Sequence, residues 1–196
     1  MIKKSFMIGI AALSFVTFST QTFAAEGVHT VEKGESLWDI GKEKSVSVIQ
    51  LKKENNLTTN DLYPGQTIEI PDNNVTAEDR ELLAKLVHAE ANGESYAGKV
   101  AVATVVLNRV DSTEFPDSIK KVIYQVSNGH YAFSPVQNGQ INQAPSQEAR
   151  DAVQEALAFR GQGKGSLFFY NPVTSTSDWI TSRETLLTIG KHRFAK

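Results

Sequence analysis

Apolar and polar positions divide the chain into three stretches of different character. Phe6 to Phe18 carries no charge, follows Lys3 and Lys4, and runs on to Thr22-Phe23-Ala24-Ala25. A positive start, a short apolar core and a small-residue end predict an export signal at 1–24, cleaved after Ala24. The core falls short of the ~20 apolar residues that cross a bilayer. In the second stretch, Val28 to Val31 alternates like a strand and stops at Lys33-Gly34-Glu35-Ser36. Ser36 suits the N-cap of a helix from Leu37-Trp38-Asp39-Ile40, and a second helix fits Ser47 to Asn55. Leu62-Tyr63-Pro64-Gly65 is a turn, and Gln66 to Ile70 is a strand ended by Pro71. The unit 28–71 therefore reads strand, helix, helix, strand. Trp38 is expected to pack inside it rather than to stack on a ligand.

Residues 72–75, Asp-Asn-Asn-Val, read as a short polar linker that tethers this unit to a second domain at 76–196. Thr76 and Asp79 have capping-box spacing, and Leu82, Leu83, Leu86 and Val87 form one stripe of a helix running to about Ala91. Gly93 stops it. A second helix starts at Ser95 or Tyr96 and reaches Asn108-Arg109; its segment Val100 to Leu107 is apolar on all sides, which predicts burial all round. A short helix from Ile119 to Val126 follows, then a long loop from Asn128 to Pro145 containing Tyr131 and Phe133, and a helix from Ser146 to Arg160. The end of the chain predicts a strand at Ser166 to Tyr170, a polar loop around Ser175 to Trp179 and a last strand at Thr188 to Phe194.

Charge and composition narrow the chemistry. Residues 1–24 hold two Lys and no acid, so the remainder has 18 basic and 22 acidic side chains, a net −4. No concentrated positive face suggests nucleic acid. An exported chain without Cys has neither a disulfide framework nor a thiolate zinc site. No G-x-S-x-G elbow and no P-loop are present. A metal site would draw on His88, His130 and His192 with Glu90 or Glu94, but the spacing is not that of a helical His-Glu-x-x-His pair. No metal and no cofactor are expected.

What remains is a carboxylic acid. Glu90 lies at a helix end beside a small-residue turn and an apolar run, where burial raises a carboxyl pKa and keeps its proton. A general acid works best with a pKa near the operating pH. The amides, hydroxyls and aromatics of 128–145 and 175–179 suit a sugar-binding cleft.

Two resemblances sharpen these readings. His29-Thr-Val-Glu-Lys-Gly-Glu-Ser-Leu-Trp-Asp-Ile40, Leu51-Lys-Lys-Glu-Asn-Asn56 and Leu62-Tyr-Pro-Gly-Gln-Thr-Ile-Glu-Ile-Pro71 together resemble a LysM domain from end to end. The resemblance implies binding of N-acetylglucosamine-containing glycans in a groove between Gly34, Glu35, Ser36 and Leu37 on one side and Asp61, Leu62, Tyr63 and Pro64 on the other. Ala89-Glu-Ala-Asn-Gly-Glu94, Gly98 to Val110, Phe133-Ser-Pro, Asn171-Pro172, Trp179 and Ile189-Gly-Lys-His-Arg-Phe194 resemble the catalytic domain of SleB/CwlJ-type cell-wall hydrolases. That family degrades spore cortex peptidoglycan on germination or remodels walls more generally.

The combined expectation is an α+β chain: a small βααβ LysM domain, then a mostly helical, lytic-transglycosylase-like domain with a small β-sheet. By match to the family motif, Glu90 is the single catalytic acid cleaving the bond from N-acetylmuramic acid to N-acetylglucosamine. Glu94, Tyr131, Ser134, Trp179 and His192 are substrate-binding candidates. Glu94 is read as structural first, orienting the following helix, and His192 is left open between cleft and core. Asn108 and Arg109 are expected to hold the central helix to a loop. The expected partner is peptidoglycan, and the expected location is outside the cell, at the wall or spore envelope. An N-acetylmuramoyl-L-alanine amidase, which would need metal, and a non-catalytic wall-binding protein are the alternatives.

Overall fold

A computed structural model describes residues 27–196; the predicted export signal lies outside them. In the first domain, β1 (Val28–Thr30) pairs antiparallel with β2 (Thr67–Glu69), His29 opposite Ile68. Between them lie α1 (Leu37–Lys44) and α2 (Val48–Glu54). Ser36 caps α1 reciprocally with Asp39, and Ser47 caps α2, each satisfying a backbone N–H that has no partner in the first turn. The core is Val31, Leu37, Ile40, Val46, Leu51 and Ile68.

Trp38 is not in that core. Its ring meets Phe159 of the second domain edge-on, centroids 6.4 Å apart. The expectation of packing within the small domain is therefore corrected: six aliphatic side chains fill the interior, and the indole covers the neighbouring domain.

The second domain is built on α3 (Ala77–Glu90), α4 (Tyr96–Asp111) and α7 (Gln147–Phe159), which pack on one another. Thr76 and Asp79 form the capping box of α3, and Ser95 and Ser146 cap α4 and α7. Leu83, Leu86 and Val87 of α3 meet Val102, Val105, Val106 and Leu107 of α4 in one apolar cluster, closed by Phe194. α4 is buried where it meets α3, α7 and the short α5 (Ile119–Ile123). Val100, Ala101, Thr104 and Asn108 are only part-buried and line an open groove, so the expectation of burial all round is corrected.

The remaining elements differ from expectation where turns were involved. The short helix ends at Ile123 rather than Val126, because Val126–Ser127 (β3) pairs with His130–Tyr131 (β4) in a hairpin. Its loop is Asn128-Gly129, both with positive φ, 51° and 77°, as a two-residue type I′ hairpin requires. The stretch 128–145 is thus not one loop; it also holds α6 (Ser134–Asn138) and a 3₁₀ turn at Gln140–Asn142. Trp179 lies in a four-residue helix, α8 (Asp178–Thr181). The last strand is two strands: β6 (Thr185–Ile189) turns at Gly190-Lys191 into β7 (His192–Ala195), with Ile189 opposite His192. β7 is central in the sheet, flanked by β6 and β5 (Phe168–Tyr170). Among the described residues no helix is long and apolar enough to cross a membrane.

Candidate active site

Glu90 is the last residue of α3, and the site is assembled around its carboxyl. The amide of the C-cap residue Ala91 still bonds Val87 O at 2.9 Å, and Gly93 then turns the chain at φ +81°. Only a residue without Cβ takes that backbone shape freely. Glu90 is therefore held at a helix end and not on a loop.

Burial pushes the Glu90 carboxyl up from the ordinary 4.5 to about 7. The backbone N–H of Ser134, which donates to it, and the positive charge of Arg109 both pull the other way, yet loss of hydration outweighs them. The residue as a whole is only part-buried. Ser134 is the exposed first residue of α6, and its amide addresses Glu90.

Behind the acid stands Arg109. Its Nε donates to Leu167 O at 2.8 Å, and its guanidinium lies 5.0, 5.1 and 5.5 Å from the rings of Phe115, Phe133 and Phe168. Burial lowers its pKa to about 10, with Glu90 opposing the change; at neutral pH it keeps its charge. Neighbouring Asn108 donates to Ser166 O at 2.9 Å. Both side chains bind α4 to the segment leading into β5, as their positions suggested. The influence of Arg109 on Glu90 was not legible, because the aromatic cage comes from three separated segments.

Glu94 does not orient α4 through a cap, a role taken by Ser95. Its carboxylate accepts the backbone N–H of Lys191 at 3.1 Å, at the β6–β7 turn. Gly190 has φ +56°, and a Cβ there would collide with the Glu94 carboxylate. One of its two carboxylate oxygens is thus engaged by the protein. His192 follows that turn. Its ring meets Phe169 at 5.4 Å and Phe194 at 6.3 Å, and its Nδ1 is buried without a hydrogen-bond partner. Burial, the largest influence, lowers its pKa against the pull of Glu94, so the imidazole is neutral at pH 7. Phe169 in turn stacks on Phe133, centroids 6.3 Å apart. One aromatic chain therefore links His192 to the residue preceding Ser134.

Tyr131 is exposed on β4, three residues before Ser134. Trp179 is 56% exposed, edge-on to Phe168 at 5.2 Å, with the Arg183 guanidinium 4.3 Å from its ring. Trp179 thus joins the same aromatic system through Phe168, on the far side of Arg109. Among the described residues no three His, Cys, Asp or Glu side chains gather as a metal site.

In the first domain, the two expected groove loops carry different kinds of side chain. Gly34 turns at φ +87°. Glu35 is tied to His29 Nε2 at 2.8 Å and to the Glu32 amide at 2.9 Å. Ser36 is occupied by its cap, and Leu37 is 2% exposed in the core; as a side-chain contact Leu37 is corrected, since it packs inward. On the facing loop Leu62 packs on the core, while Asp61 and Pro64 are exposed and Tyr63 is 71% exposed.

Residues 93–195 match the family model described as Cell Wall Hydrolase. The chain belongs to this cell wall hydrolase family. Its residues 29–71 match the LysM domain model. The hydrolase match begins three residues after Glu90. The spore cortex-lytic enzyme of Halalkalibacterium halodurans is 45% identical over 59% of this chain and 34% of its own length. That of Bacillus subtilis is 42% identical over 60% of this chain and 37% of its own. The chain thus spans little more than a third of these curated relatives. The solved catalytic domain of the germination-specific lytic transglycosylase SleB from Bacillus anthracis covers 64% of this cell wall hydrolase, at 39% identity and a TM-score of 0.57, and is itself covered entirely.

Proposed function

We propose that this cell wall hydrolase is a lytic transglycosylase acting on peptidoglycan, with Glu90 as its acid and base. The observation that carries the reading is a single carboxyl at a helix end, pushed up to about 7 by burial. At neutral pH a large fraction of it is protonated and ready to donate. The likeness to a lytic transglycosylase catalytic domain supports the reaction class, and the spore cortex-lytic relatives support cortex peptidoglycan as the substrate.

In the proposed reaction Glu90 gives its proton to the oxygen joining C1 of N-acetylmuramic acid to C4 of N-acetylglucosamine. The C1–O bond breaks and the glucosamine leaves as its 4-hydroxyl. The Glu90 carboxylate then accepts the proton of the muramoyl C6 hydroxyl, whose oxygen closes on C1 to give a 1,6-anhydro end. No water is consumed, and Glu90 ends protonated. The charge of Arg109 and the Ser134 amide steady the carboxylate between the two transfers. A hydrolase would need a second carboxylate, ~5–5.5 Å or ~6.5–9.5 Å away. The nearest such residue in sequence, Glu94, has one carboxylate oxygen taken up by the Lys191 N–H. An amidase would need a metal, for which the described residues gather no ligand set.

His192, Tyr131, Ser134 and Trp179 are the proposed substrate contacts, and Asp61, Tyr63 and Pro64 those of the LysM groove. Residues 1–24 serve as an export signal, and the mature chain works outside the cell at the wall or spore envelope. Digestion of purified cortex and vegetative sacculi, with products identified by mass, tests the proposal. Anhydro-muramoyl ends are expected; reducing muramoyl ends or freed stem peptides would overturn it.

A further inference from the structure

We infer that the LysM domain is docked rigidly on the catalytic domain, not tethered beside it, and so sets where along a glycan strand the cut falls. The second half of this inference rests on the proposed function; the first does not.

The contact is specific. Helix α1 packs on α7, with Trp38 edge-on to Phe159. The backbones approach closely enough that a Cβ on Gly41 would lie 3.3 Å from the Ala158 Cβ, and one on Gly161 would lie 3.3 Å from Ile49 Cδ1. Trp38 lies outside the LysM core, so its large apolar ring is used between domains. The linker is fixed at both ends. Asn73 Nδ2 donates to the carbonyls of Lys44 and Ser45 at 3.1 and 3.0 Å. Val75 is buried in the catalytic core, and its carbonyl accepts Arg80 Nη1 at 2.9 Å. Only Asn74 separates these anchors.

Contacts between domains of one chain are commonly weak, and relative motion is the usual expectation. Here a very short connection supplies an effective concentration on the order of millimolar or more, so an interface need only have a dissociation constant well below that to stay closed. Docking leaves the groove open: Tyr63 and Pro64 are exposed while Trp38 and Gly41 face α7. A glycan held in that groove is then at a fixed distance and direction from Glu90, which a flexible tether would not impose.

The test uses the mature full chain, whose lack of cysteine allows clean labelling. Spin labels go on Lys53→Cys and Lys120→Cys, both exposed, one in each domain. The unaltered interface should give one narrow distance distribution, and Trp38→Ser with Ile49→Glu should broaden it. Ile49→Glu alone, at a half-exposed site, repeats the test with little risk to folding. On long glycan strands the docked protein should release a narrow range of product lengths, and the undocked variants a broad one at an unchanged rate of bond cleavage. A broad distribution in the unaltered protein, or a narrow one in both variants, would overturn the docking. Changed distances with unchanged product lengths would overturn the positioning role. Absence of any cleavage would overturn the functional reading, with the distances still deciding the docking.

Discussion

The Glu94 carboxylate and the Lys191 backbone N–H meet at 3.1 Å although 97 residues separate them. This bond joins the turn after Glu90 to the hairpin that carries His192, so the two segments are held in register. Glu94→Ala leaves the amide unpaired and Gly190 unsupported; we predict about a tenfold fall in kcat/KM with wall binding retained. Glu94→Gln, whose side-chain carbonyl still accepts, should recover most of it. Steady-state kinetics on soluble glycan strands distinguish the two.

Replacing the acid itself should cost far more. Glu90→Gln is predicted to lower cleavage at least ~100-fold, the scale of a lost general acid, without weakening sedimentation with sacculi. In the unaltered protein, activity should fall about tenfold per pH unit above a midpoint near 7, as the protonated fraction declines. A rate profile from pH 5 to 9 reads both effects.

The same carboxyl links stability to pH. Its folded-state pKa is raised from 4.5 to about 7, so the unfolded chain ionises first as pH rises. Any advantage of the neutral buried group is complete below about pH 4.5 and is lost progressively up to about 7. Glu90→Gln carries no such loss. The variant should match the unaltered protein at pH 4 and exceed it at pH 8, by at most ~3 kcal/mol from the size of the shift. Urea unfolding at the two pH values measures the difference.

Much of this architecture is legible in local chemistry. Ser36 with Asp39 and Thr76 with Asp79 mark two helix starts, and Gly93 marks the break that leaves Glu90 at a helix end. The signals misread were turns inside apolar runs. Asn128-Gly129 between Val126-Ser127 and His130-Tyr131 is a strong hairpin signature, and Gly190-Lys191 splits what looked like one strand. What no local pattern carries is contact across the chain. Trp38 against Phe159, Glu94 against Lys191 and the rings around Arg109 each join segments far apart in sequence. The placing of Glu90 at a helix end is therefore readable in the sequence, and the groups that tune its carboxyl are not.

Arg109 separates charge from geometry. Arg109→Lys keeps the charge but loses the Nε bond to Leu167 O and the planar stacking on three rings. It should lose roughly 2 kcal/mol of stability with the pH midpoint of activity little changed. Arg109→Met removes a charge that holds the Glu90 pKa down, so its activity midpoint should move above that of the unaltered protein. Thermal melts and rate profiles on both variants check the split.

The proposed reaction requires Glu90 to keep its proton near neutrality. Carbon-13 NMR titration of the side-chain carboxyl, assigned by comparison with Glu90→Gln, measures this directly. A midpoint close to 7 is predicted. A midpoint at the ordinary value of 4.5 would contradict it.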